Sequence, residues 1–161
     1  MKFVADAMLG RLAKWLRILG YDTTNLPASD AGSLLKVARE EKRVILTRNH
    51  RLPPESRNFR ILLIESDHWR EQLAQVLKAF RLRPGQGRFR RCILCNQRLA
   101  PLEKEKAEGK VPDFVFVQNE SFFRCPRCGR IFWQGSHSSS MTGILSELPS
   151  KPIHSRQEKG H

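Results

Sequence analysis

Two cysteine pairs constrain this chain more than any other feature. Cys92-Ile93-Leu94-Cys95 and Cys125-Pro126-Arg127-Cys128 contain all four cysteines of the sequence. A C-x-x-C turn aims two thiolates at one point, and two such turns complete a tetrahedral shell for zinc. Asn96 and Gly129 follow the second cysteine of each pair, and both residue types tolerate the left-handed backbone that such turns need. Disulfides or a redox dithiol are the competing readings, but a redox C-x-x-C needs only one pair on a thioredoxin-like fold. Structural Zn²⁺ on Cys92, Cys95, Cys125 and Cys128 is therefore expected, and four thiolates close the shell against catalysis. The long spacing between the pairs suits a small β-rich zinc ribbon over residues 92–137. Within it, Val115-Phe116-Val117 and Phe122-Phe123 are expected to form a hairpin about residues 118–121, with Ile131-Phe132-Trp133 as a further strand.

The chain ahead of the cysteines alternates between two periods. Phe3-Val4-Ala5 reads as a short strand ending on Asp6, and apolar residues at 8, 9, 12, 16 and 19 give the spacing of a helix buried on one side. Arg11, Lys14 and Arg17 fall on another arc of that helix. Residues 21–26 make a second strand, and Asp30 opens a helix with Ala31, Leu34, Leu35 and Ala38 on one face. Arg43-Val44-Ile45-Leu46-Thr47 is a strand with a continuous apolar run of the kind buried in a parallel sheet. Arg48, Asn49, His50 and Arg51 follow it. A fourth strand over residues 59–64 leads through Ser66-Asp67 to a helix carrying Trp69, Leu73, Val76, Leu77 and Phe80. Strands alternating with helices predict an α/β domain over residues 1–80 with a mostly parallel sheet. The expected strand order, 2-1-3-4, makes Asp6 and Asn49 neighbours at the switch point, with Asp30 and Asp67 at the rim. Each aspartate also suits a helix N-cap, and for Asp67 the cap is the stronger reading.

A net charge of +13 points to a polyanionic partner, with nucleic acid the default and a merely soluble basic protein the alternative. Residues 81–91 hold five arginines with glycine and proline, which marks a basic linker; Arg88, Arg90 and Arg91 there, with Arg11, Lys14, Arg17, Arg48 and Arg51, are candidate nucleic-acid contacts. No run of 18 apolar residues occurs, so no membrane partner is expected. The apolar stretch after Lys2 stops at Asp6, unlike a signal peptide, and a cytoplasmic location is expected. Residues 138–161 are rich in Ser, Pro and Lys without periodicity, the composition of a disordered tail.

The combination resembles a known family. Phe3-Val4-Ala5-Asp6-Ala7-Met8-Leu9, Leu12-Ala13-Lys14-Trp15-Leu16-Arg17, Leu19-Gly20, Asp30 and Leu46-Thr47-Arg48-Asn49 look like the PIN-like ribonuclease domain of the Mut-seven C-terminal family. The likeness continues through Gln72-Leu73, residues 92–96, Val111-Pro112 and residues 125–137, and spans residues 2–146. It implies a compact three-layer PIN-like domain followed by a zinc ribbon, acting as a metal-dependent ribonuclease in an endonucleolytic mode.

Carried over position by position, the resemblance implies Asp6, Asp30, Asn49 and Asp67 as the catalytic set, Asp67 being the loosest match. Two Mg²⁺ or Mn²⁺ ions about 4 Å apart can activate water and stabilise a leaving oxygen when carboxylates neutralise them. Asn49 stands where the family usually has aspartate, so the site loses one negative charge. A catalytically weak RNA-binding module, using a basic face and the zinc ribbon, is the alternative. A protein-interaction adaptor built on the ribbon is the third reading.

Overall fold

The computed structural model describes residues 1–27, 30–83, 90–134, 143 and 146. Its first layer is a four-stranded parallel sheet formed by β1 (Lys2–Ala5), β2 (Asp22–Asn25), β3 (Val44–Thr47) and β4 (Ile61–Leu63), ordered β2-β1-β3-β4 as the alternating pattern predicts. Among the described residues no helix is long and apolar enough to cross a membrane.

Helices α1 (Gly10–Ile18) and α3 (Trp69–Ala79) cover one face of the sheet, and α2 (Ala31–Glu41) covers the other. Alternation along the strands explains the split. Phe3, Ala5, Val44 and Leu46 point to α1 and α3, whereas Val4 and Ile45 point to Leu34, Leu35 and Ala38 of α2. Both faces are thus apolar, and each fully buried Leu or Ile contributes about 1.5–3 kcal/mol. The helical arc predicted from Met8 is divided: Ala7–Leu9 forms one 3₁₀ turn, and the α-helix starts at Gly10.

A second, antiparallel sheet comprises β5 (Ala100–Leu102), β6 (Phe122–Arg124) and β7 (Ile131–Trp133), with the short helices α4 (Lys104–Ala107) and α5 (Asp113–Gln118) between β5 and β6. The strand predicted at Ile131-Phe132-Trp133 is present. The hairpin predicted from Val115-Phe116-Val117 is not: these residues lie on α5, and β6 pairs instead with β5 and β7. Pro112 accounts for the difference, because its carbonyl accepts from the N–H groups of Val115 and Phe116 and starts a helical turn. Val111 and Val115 then fall on one face against Ala107 and Phe122. A β-branched, aromatic tripeptide concealed this i, i+4 spacing.

A charged cluster joins the two sheets at the edge where the parallel strands begin. The Arg43 guanidinium is buried, pairs with Asp22 and donates to the Phe3 carbonyl. Asn96 donates to Asp22 through Nδ2 (2.8 Å), and its Oδ1 accepts from the Thr23 N–H (3.0 Å). Arg91 reaches Asp22 (3.4 Å) and donates to the carbonyls of Gly20 and Asn96. Arg17 donates to Thr23 O (2.7 Å) and, across the junction, to Ile93 O and Leu94 O.

Although burial raises the Asp22 pKa, the hydrogen bonds from Arg43 and Asn96 and the charges of Arg43 and Arg91 hold it below the usual carboxylate value. A depressed pKa adds stability that is present above the unfolded value, near 3.9, and is lost as pH falls through the folded value. Urea unfolding at pH 7 is expected to show Arg43→Met destabilised by about 3–5 kcal/mol, the cost of stranding one partner of a buried pair. Asp22→Asn should flatten the acid limb of the stability profile below about pH 4. An unchanged acid limb would show that Asp22 gains nothing from its cationic neighbours.

Candidate active site and cysteine cluster

A cavity of about 490 Å³ opens beyond the C-terminal ends of β1 and β3. Asp6, Asp30, Thr47, Arg48, Asn49, His50 and Glu65 contribute to its wall. This is the edge at which an open α/β sheet collects ligands, because loops diverge there on either side of the switch point.

Asp6 is the buried acid of this wall, and three donors fix its carboxylate. Oδ1 accepts from the Met8 N–H (3.0 Å), which caps the 3₁₀ turn. Oδ2 accepts from the Thr47 hydroxyl (2.6 Å) and the Arg48 N–H (3.0 Å). The cap and the place in the cavity therefore coexist. Thr47 Oγ1 in turn accepts from the Asn49 N–H (3.0 Å), so one hydroxyl links Asp6 to the loop that carries Asn49. The Asn49 side chain closes a turn by accepting from the Arg51 N–H (2.8 Å). From the other side, Asn25 at the end of β2 donates to the Asp6 carbonyl (2.7 Å).

Asp30 faces the same cavity from the start of α2. Its Oδ1 accepts from the Ser33 N–H at 2.6 Å, and this bond holds its carboxyl below the usual range. Asp67 stands elsewhere: it is exposed, lies 3.7 Å from His68, and is not among the residues lining the cavity. Nor does it cap α3, whose N-cap residue is His68; Ser66 accepts from the His68 N–H instead. Glu65 lines the cavity. Its sequence signal is the one that marked Asp6, an acid directly after an apolar strand, here Ile61-Leu62-Leu63-Ile64. His50 and Thr47 carried no comparable signal, since their place depends on how the loop after β3 turns.

The cationic candidates separate into groups. Arg48 lines the acidic cavity, and Arg51 lines an adjoining depression of about 860 Å³ that shares Asp30, Ala31 and Leu52 with it. Arg11 and Lys14 are exposed on α1, and Arg90 is exposed before the first cysteine. Arg17 and Arg91 are engaged in the junction between the sheets. Arg88 lies outside the described residues.

The four cysteines converge as their spacing predicts. All four sulfurs lie within 4.8 Å of one another, and Cys92 and Cys128 are 3.8 Å apart. A regular tetrahedron with metal–sulfur bonds of about 2.3 Å has edges of about 3.8 Å, whereas a disulfide needs about 2.05 Å. The two turns match position for position. Asn96 and Gly129 adopt φ of 63° and 73°, and each donates its N–H to the carbonyl of the first cysteine of its pair, Cys92 or Cys125, at 2.9 Å. The backbone N–H of Arg130 draws Cys128 down to about 7, while burial pushes Cys95 up to about 12. Burial likewise raises Cys92. Such a set of soft ligands fits a zinc ion, whose charge would let every sulfur ionise.

Thr47→Val is expected to cost about 1–3 kcal/mol, because it removes one of the two donors to Asp6 Oδ2 and leaves the Asn49 N–H without a partner. Thr47→Ser should retain most of that stability. Equal urea midpoints for the valine and serine variants would remove the hydroxyl from the support of Asp6.

No curated protein and no solved structure matches this chain. A family model does, across residues 1–145, and its description is Mut7-C RNAse domain. That span takes in both sheets, the acidic cavity and the cysteine cluster, and it implies a ribonuclease-type function with RNA as substrate. The chain belongs to the Mut7-C RNAse domain family.

Proposed function

We propose that this protein is a divalent-metal-dependent ribonuclease, PIN-like in fold, that cuts within RNA strands at the cavity beside Asp6. The observation that carries this reading is the convergence of three carboxylates, Asp6, Asp30 and Glu65, with the Asn49 amide around one cavity next to Arg48. Hard oxygen donors at a strand edge suit Mg²⁺ or Mn²⁺. When bound, such ions polarise the phosphodiester and lower the pKa of a coordinated water.

The chain's own residues have distinct parts in this scheme. Asp6 supplies a carboxylate whose orientation three hydrogen bonds define. Asp30 is ionised at neutral pH and brings a second negative charge from the start of α2. Glu65 supplies a third, in the place the sequence pattern suggested for Asp67. Arg48 and His50 stand at the same wall, where they can meet non-bridging phosphate oxygens. Asn49 adds a neutral oxygen already engaged with the Arg51 N–H, and this favours the second reading, a pocket that holds RNA but cuts it weakly.

Purified protein should cleave single-stranded RNA with Mn²⁺, and Asp6→Ala should abolish cleavage. Glu65→Gln should lower the rate at least tenfold, while Asp67→Asn leaves it within twofold. Equal losses in the last two variants would return the fourth acidic role to Asp67. RNA retained with a steep salt dependence but never cut would establish the binding module instead.

We infer that the four cysteines hold one structural Zn²⁺ and that the second sheet is a zinc ribbon, with the basic segment 81–91 as its linker. The matched geometry of the two turns supports this reading. Elemental analysis should return one zinc per chain, and chelation should lower the unfolding midpoint. A zinc content near zero in protein purified without chelator would refute it.

A further inference from the structure

We propose that Trp69, with Arg11 and Arg70, is a stacking platform for an unpaired base of the RNA strand whose phosphate lies at the acidic cavity. The inference rests on RNA being the ligand, as argued above. It goes further in naming a base-binding subsite, and with it a preference for single strands.

Trp69 heads α3 and stacks on Trp15 of α1 with ring centroids 4.6 Å apart and planes 9° from parallel. Trp15 is buried, whereas Trp69 is only partly so. The guanidinium groups of Arg11 and Arg70, both exposed residues, lie over the Trp69 ring at 4.9 and 4.8 Å from its centroid. Closing the contact between α1 and α3 accounts for the Trp15–Trp69 pair. It does not account for two cations gathered on the same ring at the surface.

Among the described residues neither arginine is in an ion pair, although acids are near in sequence. Glu71 accepts from the Ser66 hydroxyl (2.6 Å), and Asp67 lies beside His68. Two like charges drawn to one ring repel each other, and a phosphate between them would relieve that repulsion. A base can stack on a guanidinium plane or on the indole itself. Every base has a π face, so such a platform accepts any base and rejects only those already paired in a helix.

The position fits a neighbour of the scissile phosphate. Met8, which is 73 % exposed, and Glu65 both line the acidic cavity. Arg11 lies three residues beyond Met8, across the step from the 3₁₀ turn into α1, and Trp69 lies four residues beyond Glu65. A strand leaving the cavity across this rim would meet the ring next.

The test uses the full chain without added Mg²⁺ or Mn²⁺ and two probes, a single-stranded octa-adenylate and the same octamer with one abasic position. Fluorescence of the tryptophans should be quenched by the intact octamer. Trp69→Leu should weaken its binding roughly 5- to 150-fold, the range for losing one stacked base. Trp69→Phe should restore most of the loss. Arg70→Ala, at an exposed position that does not threaten folding, should weaken binding about 2- to 5-fold. The abasic octamer should bind more weakly to the wild type and be nearly indifferent to Trp69→Leu. Equal weakening of both probes in Trp69→Leu, or binding of the intact octamer unchanged in Trp69→Leu and Arg70→Ala, would overturn the platform. Cleavage assays with Mn²⁺ separate the two readings: base-dependent binding without cleavage refutes the nuclease and keeps the platform, and cleavage without base dependence does the reverse.

Discussion

The Asp6 carboxylate is where strand, turn and loop are brought to one point. One oxygen accepts from Met8 and sets how the chain leaves β1, while the other accepts from Thr47 and Arg48 and ties that exit to the end of β3. The ends of two adjacent parallel strands would otherwise present backbone donors to the cavity without partners, at a cost of about 1–3 kcal/mol each. A carboxylate answers two of these backbone donors and the Thr47 hydroxyl at once, and an amide could not do so without turning an N–H toward the Met8 or the Arg48 N–H. The same hydrogen bonds that stabilise the switch point thereby aim Asp6 along the cavity wall.

At the other edge of the sheet the logic is cationic. Arg43 and Arg91 converge on Asp22, Arg17 holds Thr23 O, and Asn96 gives both halves of its amide to β2. Asn96 is also the left-handed residue of the first cysteine turn. One residue thus closes that turn with its backbone N–H and, with its side chain, extends hydrogen bonding on an outer strand of the parallel sheet. Gly129, at the matching place in the second turn, has no side chain to do this. The asymmetry explains why the first cysteine turn, and not its twin, supplies the contacts with β2. The cysteine cluster is linked to the edge where the strands begin, and the acidic cavity lies at the edge where they end.

Much of this was legible in the residues. Alternation of 2- and 3.6-residue periods indicated the parallel sheet and its order, and the paired cysteines indicated their own convergence. The strand-to-acid handover pointed to Asp6 and Asp30, both of which reach the cavity. Asp67, three residues beyond the end of the apolar run, does not line the cavity, whereas Glu65, directly after that run, does. Val115-Phe116-Val117 misled because β-propensity measures fit to a pleated surface, and Pro112 and Val111 placed those residues on a helix instead.

Short-range chemistry is what the sequence determined by itself. C-x-x-C turns, apolar periods and acids at strand ends act within a few residues, so their outcome needs no knowledge of distant partners. The destination of the arginines was decided only by the tertiary structure. Arg11, Lys14 and Arg17 share one arc of one helix, yet Arg11 lies over Trp69, Lys14 is exposed, and Arg17 bonds to carbonyls 76 and 77 residues away. The physical reason is length: a guanidinium on a flexible stem takes whatever acceptor or ring the packed chain brings within reach, and that supply does not exist until the sheets have met.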